Sequence, residues 1–340
     1  ADPVWALAAA ALAAGLVGAA ARGLKDGSVQ RAGVHAAGAV AALCFGFAVV
    51  LHDQWVTLAV ALMLPPLAWI EARADLPPLR RVALAVAVLV LGRLLLNWYV
   101  LDYAFGSGPV LNGLWLAYGV PALCFWVAAR MFLRRADDLA VAVLEAGAVA
   151  FATVLVALLI RHAEGAGRFT RSGSLLEAGL HVSALGAQAL AGLFLARRTG
   201  RKVLAVAWRI QGVLGMAGGV LLLVLNPVFT YSRATQAGLA FAYLVPAVLA
   251  GLLAMQREAR GWLKPAGFYA LVAGFAWLTL VVRLVFNPDR SLGVDAGDAE
   301  MWTFSGVWLA YGAALMAGGI VWNARVVRLA ALGVIARTTE

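Results

Sequence analysis

Apolar residues run for about twenty positions at a time, stop at a short polar segment and resume, again and again along the chain. Eleven such runs lie near residues 4–21, 32–51, 55–70, 79–96, 110–130, 139–160, 174–196, 203–225, 236–255, 262–286 and 301–321. Crossing a hydrocarbon core ~30 Å thick takes about 20 mostly apolar residues. In lipid only helices and closed barrels satisfy their own backbone hydrogen bonds. Barrel strands alternate apolar and polar positions and span only about ten residues, whereas these runs are continuous. The pattern predicts an all-α, polytopic helical membrane protein with about eleven transmembrane helices.

Within that pattern one arrangement recurs. RLLLNWYVLDY leads through a loop into LWLAYGVPAL, with Asn97 and Tyr118; LLVLNPVFTYS leads into LAFAYLVPAV, with Asn226 and Tyr243. RLVFNPDRS leads into VWLAYGAAL, with Asn287 and Tyr311. Each reads as a span ending in Asn, a short loop, and a span opening near Tyr. At Asn226 and Asn287 the following Pro stops the helix, since the residue before Pro leaves the helical region and Asn turns readily. Arg161-His162 stands midway between Asn97 and Asn226, so the marks fall roughly 60 residues apart, a fixed period of the kind stacked repeats show. The expectation is a single transmembrane domain over 1–340. It comprises three N-terminal spans in 1–78, four tandem parallel hairpins in 79–321, and a tail at 322–340. The tail reads as a cytoplasmic amphipathic helix or the first half of a truncated further span. Two spans per unit make the repeats parallel, unlike the inverted repeats of many transporters.

Charge then orients the spans. Of the 27 Lys and Arg, three (Arg93, Arg209 and Arg283) fall inside spans. With the N-terminus outside, five lie in outer segments (Arg161, Arg168, Arg171, Arg233 and Arg290) and the remaining nineteen in inner ones. The positive-inside rule places the N-terminus outside and the C-terminus in the cytoplasm. The net charge of +10 is therefore topology and not a nucleic-acid footprint. Composition agrees with the class: 64% hydrophobic and 13% charged residues, against about 45–50% and about 25% in soluble domains. Asp2 and the lack of a preceding basic residue set the first run apart from a signal peptide. The start at Ala-Asp-Pro predicts a processed terminus or a cut from a longer chain. Cys44 and Cys124 fall mid-span and read as buried hydrophobes rather than a disulfide or metal site.

Ionisable groups inside spans are costly and mark functional positions. Arg93 and Arg283 each sit four residues before Asn97 and Asn287, one helical turn apart on a shared face. They read either as snorkelling to headgroups or as an anion site shared by repeats. Glu177 and His181 share a face just after Arg161-His162, and could supply two metal ligands or an acid–base couple with His162. A structural hydrogen bond is the commoner outcome, and no further metal ligand stands nearby. These residues form one expected outer polar cluster: Arg93, Asn97, Arg161, His162, Glu177, His181, Arg283 and Asn287. Glu145 and Arg209 lie at equal depth in their spans and predict an intramembrane ion pair. Tyr118, Tyr243 and Tyr311 line an outer cavity or anchor at the interface. Gly215 and Gly219 read as close helix packing, and the acidic loop with Asp289, Asp295, Asp298 and Glu300 as solvated. No cofactor, metal or catalytic motif is expected.

The runs LLIRHAEGAG, SLLEAGLHV, NWYVLDYAFGSGPVLN with LAYGVPAL, and RLVFN with VWLAYGAALMAGGI resemble a family of predicted bacterial membrane proteins, the domain of unknown function 2339, over roughly residues 80–335. Members of that family have two dozen or more spans, so the resemblance implies that this chain is a fragment or a shortened relative, in a bacterial inner membrane. It also implies a second His after Arg-His-Ala, where this chain has Glu164 and Gly165. No activity comes with it. The functional expectation is a transport or envelope-maintenance role. The alternatives are a scaffold subunit without its own substrate and an intramembrane transferase on lipid-linked substrates. The expected partners are membrane lipids, other membrane subunits or the remainder of a longer chain, and no nucleic acid.

Overall fold

The computed structural model describes residues 3–52, 54–96, 105–106, 108, 110–169, 173–227, 234–288, 292–321 and 325–337, and among them there is no strand. The helices are α1 (Pro3–Lys25), α2 (Val29–Val50), α3 (Gln54–Ala61), α4 (Leu64–Ala74), α5 (Pro78–Leu96), α6 (Val120–Leu133) and α7 (Leu139–Glu164). They continue as α8 (Leu175–Thr199), α9 (Lys202–Val224), α10 (Gln236–Leu239), α11 (Val245–Ala254), α12 (Leu263–Phe286), α13 (Asp298–Val321) and α14 (Arg325–Arg337). Among the described residues, 10 helical segments are long and apolar enough to cross a membrane. The expected eleventh is α5, whose 19 residues rise at 1.5 Å each and carry Arg80, Arg81 and Arg93. Helices such as α1, with Trp5, Leu7, Leu12 and Val17 all exposed, are apolar all round, as a membrane span is.

The chain divides into two compact units, Ala1–Ser172 with Leu195–Ala207, and Gly173–Phe194 with Trp208–Glu340. In the first, α1 pairs with α2, and α4, α5, α6 and α7 enclose a core of Leu64, Leu79, Phe125, Phe132, Leu144 and Phe151. A Cβ on Gly147 would lie 2.2 Å from the Phe125 ring, so α7 closes on α6 only because that position has no side chain. Pro65 and Pro66 split the third span into α3 and α4, since neither can donate to the preceding turn. In the second unit, α11, α12, α13 and α14 pack in sequence, and a core of Val182, Leu222, Leu239, Tyr243, Leu280 and Leu292 joins α8, α9, α10, the following turn and α12. Gly215 of α9 approaches the Gly186 backbone of α8, and Gly219 lies against the Tyr269 hydroxyl of α12. Both glycines serve close packing, as their spacing implies.

The Tyr motifs have a shared backbone. Residues Trp115–Gly119 and Ala240–Leu244 are both π turns, each leading directly into α6 or α11. Val120 donates to the Trp115 carbonyl and Val245 to the Ala240 carbonyl, five residues back. The next residue is Pro121 or Pro246, which has no N–H to continue the ladder, and a π bulge absorbs the misfit. In that register Pro246 leaves the Phe241 carbonyl without its donor; the Ser183 hydroxyl supplies one at 2.8 Å. Ala314 stands at the equivalent place after Tyr311, and there α13 runs unbroken from Asp298 to Val321.

Candidate functional site

At one end of the first unit, α7 finishes in Arg161 and His162. The Arg161 guanidinium donates through Nε (2.9 Å) and Nη2 (2.5 Å) to the Phe169 carbonyl eight residues on. His162 is only 1% exposed. Its Nε2 lies 2.9 Å from the Gly106 carbonyl and its Nδ1 lies 3.1 Å from the Asn112 amide nitrogen. The neutral tautomer with the proton on Nε2 satisfies both contacts, donating to Gly106 and accepting from Asn112. Asn112 is itself pinned, donating to the Gly108 carbonyl (3.0 Å) while its Oδ1 accepts from Leu114 N–H (3.0 Å). Phe105 and Phe169 meet edge to face over the same site, 6.0 Å apart. Gly106 and Gly167 hold the two loops in left-handed conformations, at φ of 92° and 82°, which a side chain would strain.

The second unit contains a related device. Arg283, in the last turn of α12, donates through Nε (3.0 Å) and Nη2 (2.5 Å) to the Leu292 carbonyl nine residues on, and also to the Val294 carbonyl. Its Nη1 pairs with Glu300 Oε1 at 3.0 Å. Asn287 donates to the other Glu300 oxygen at 3.3 Å and back to the Arg283 carbonyl at 3.1 Å. All three side chains are buried. Glu300 lies in the first turn of α13, where the helix dipole also favours a carboxylate. Glu177 holds the same first-turn place in α8, capped by Ser174, with His181 Nε2 3.8 Å from its Oε1.

The opposite end of the first unit is a charge network. Arg80 lies 2.9 Å from Asp138 and 3.6 Å from Glu71; the Asp138 contact is an ion pair rather than a directed hydrogen bond, since Nε has no aligned acceptor. Arg80 also donates to the Phe132 and Ala136 carbonyls. Arg135 pairs with Asp75. Arg201 grips Asp137 through two bonds of 2.8 Å and reaches Glu145 at 2.7 Å. The segments around 73–81, 130–138 and 197–202, all assigned to the inner side by charge, therefore meet at one end. The Arg201 guanidinium holds the Asp137 carboxyl below the usual carboxylate range, and the two carboxylates hold Arg201 above its own. Glu71 is 3% exposed, and its Oε2 has no hydrogen-bond partner.

With this geometry in place, the family comparison is decisive: a family model described as a predicted membrane protein, DUF2339, matches residues 1–339. The chain belongs to the DUF2339 family. The match takes in the first three spans as well as the residues 80–335 that carry the resemblance. No curated protein and no solved structure matches the chain.

The described residues of the expected outer cluster of this DUF2339 chain make contacts within their own units. Arg161 and His162 are held by loops of the first unit, and Arg93 Nε donates to Thr57 at 3.0 Å. Arg283 and Asn287 join Glu300 in the second unit, where Glu177 and His181 also lie. Asn97 is outside the described residues, and Asn226 follows the end of α9. Arg283 neither snorkels nor offers itself to an anion, because Glu300 and two loop carbonyls occupy its donors. Arg161 and Arg283 make matching contacts, each donating through Nε and Nη2 to one carbonyl eight or nine residues on.

Glu145 is paired with Arg201, and the Arg209 guanidinium of the expected pair lies over the Trp208 ring at 5.5 Å. Arg201 in the α8–α9 turn is the cation that reaches Glu145. The Tyr243 and Tyr311 hydroxyls donate to the Leu222 and Leu271 carbonyls, each at 2.9 Å, and Tyr118 packs on Phe151. Glu300, read from sequence as solvated, is a buried ion-pair partner, and its signal is a first-turn Glu after a span-ending Arg. Asn112 closes the run NWYVLDYAFGSGPVLN without a role that the sequence assigns, and Glu71 carries no motif. Among the described residues, no three His, Cys, Asp or Glu side chains come together to hold a metal ion.

Proposed function

We propose that this chain is a non-catalytic scaffold module of the bacterial inner membrane, with its N-terminus outside, serving envelope maintenance with other membrane subunits or the rest of a longer chain. One observation carries the reading: its polar side chains inside and beside the spans are used to fasten helix ends to loops. His162 has both ring nitrogens engaged, and the Arg283 guanidinium is enclosed by Glu300 and loop carbonyls. Of the bases a transferase could use (His162, Glu177 or His181), His162 already has its free lone pair accepting from Asn112. The four tandem hairpins fit a scaffold, each presenting an apolar outer face to lipid or to a partner helix.

The test is complementation of a deletion strain, scored by envelope integrity under detergent stress. Arg283→Met/Glu300→Leu, which removes both charges together, is expected to complement once folded to wild-type levels. Failure of that folded double variant to complement would overturn the scaffold reading. Transport is the second reading, and Glu71 favours it, as a buried carboxylate with one unmatched oxygen is the kind of ionisable group that marks a substrate or ion path. Loss of complementation in a stably folded Glu71→Gln protein would select transport.

A further inference from the structure

The first unit contains an apolar cavity of about 570 Å³, walled by α1, α2, α3, α4 and the start of α5. That volume is within the roughly 300–1,000 Å³ of small-molecule sites. Its origin is local. Ala20, Ala36, Ala39 and Ala59 stand where larger side chains would close the gap, and the α3–α4 break at Leu62 and Met63 opens the wall. Every lining residue is apolar. Water there would lack the two to four polar partners it needs, so hydrocarbon is the fitting occupant.

One end of the cavity, marked by Leu24, Leu76 and Leu79, is edged with positive charge. Arg22 and Lys25 flank Leu24, Arg31 lies in the first turn of α2, Arg73 follows Ile70, and Arg81 follows Leu79; all five are exposed. The acids at this rim are Asp26, which is exposed, Asp75, which pairs with Arg135, and Glu71, which faces Arg80. The geometry points to a binding site for an anionic phospholipid, with one acyl chain in the cavity and the phosphate at the basic rim. The cavity accepts any acyl chain; the rim selects the headgroup. Each basic residue near an anionic lipid surface contributes about fivefold in affinity. The site stands independently of the scaffold reading.

The probe is phosphatidylglycerol with a diazirine on its acyl chain, incorporated in phosphatidylcholine vesicles holding the full chain. After photolysis, adducts are expected on the cavity wall at Leu43, Leu62 and Met63. Unlabelled phosphatidylglycerol is expected to displace them and added phosphatidylcholine to leave them. Ala39→Trp, which fills the cavity, lowers labelling several-fold. Lys25→Gln with Arg73→Gln lowers the preference for the anionic lipid by roughly 25-fold. Adducts spread evenly over exposed faces such as Val220 and Leu221 of α9 would overturn the site, and wild-type mapping decides this even if Ala39→Trp misfolds. Equal displacement by the two lipids would overturn the anionic headgroup.

Discussion

Removing Glu300 should destabilise the second unit far more than removing an exposed acid. Arg283 and Glu300 are 6% and 3% exposed and meet at 3.0 Å. Truncation to Ala leaves a buried guanidinium with only carbonyl partners, and breaking one side of a buried pair costs about 3–5 kcal/mol. For a cooperative unit of this size that corresponds to a fall in Tm of roughly 6–20 °C. Glu300→Gln is expected to lie between Ala and wild type. It keeps an acceptor for Arg283 but turns an amide N–H toward the Asn287 donor, an unsatisfied contact of about 1–3 kcal/mol. Arg283→Met/Glu300→Leu should recover most of the loss, because replacing both charges by apolar groups is often neutral. Tryptophan fluorescence during thermal unfolding in micelles measures all four proteins. A Glu300→Ala protein within about 1 kcal/mol of wild type, or a double variant no better than the single ones, would refute the buried-pair reasoning.

Two further outcomes are expected. Ser183→Ala should cost about 1–3 kcal/mol by leaving the Phe241 carbonyl unsatisfied, whereas in a Pro246→Ala background the restored N–H should remove most of that cost; additive losses in a double-mutant cycle would rule out the π-turn explanation. For Asp137, whose carboxyl is held low by Arg201, the pairing stabilises fully above the unfolded carboxylate value of 3.8 and is lost as pH falls from there through the lower folded value. Acid unfolding followed from pH 6 to pH 2 should therefore shift to higher pH in Asp137→Asn, and an unchanged acid profile would mean the pair contributes nothing.

The helices were legible because membrane spans announce themselves by apolar length. α5 forms as a helix over the expected run at 79–96, but its three Arg leave it outside the ten described segments apolar enough to cross. Helix neighbours were less so. Depth along a span axis carries no mark of a turn residue such as Arg201, the Arg that reaches Glu145. Tyr-x-Val-Pro marked a repeated feature, and its meaning became clear only once the π turn showed what Pro does to the ladder. Arg161 and the Nε2 of His162 are held by loop carbonyls, which every residue possesses, so no side-chain pattern could point to those partners. Glu300 was hidden by its company: three Asp residues nearby made its segment look wholly solvated.

The clasps at Arg161 and Arg283 bear on how such a chain is assembled. Each Arg ties down a carbonyl only eight or nine residues further along, a loop short enough to close at small entropic cost. Such a fastening can form as soon as the loop leaves the insertion machinery, before any later helix exists. A chain built this way can secure each turn in the order in which it is made, and a ribosome pausing between hairpins would leave behind finished pieces rather than loose ends.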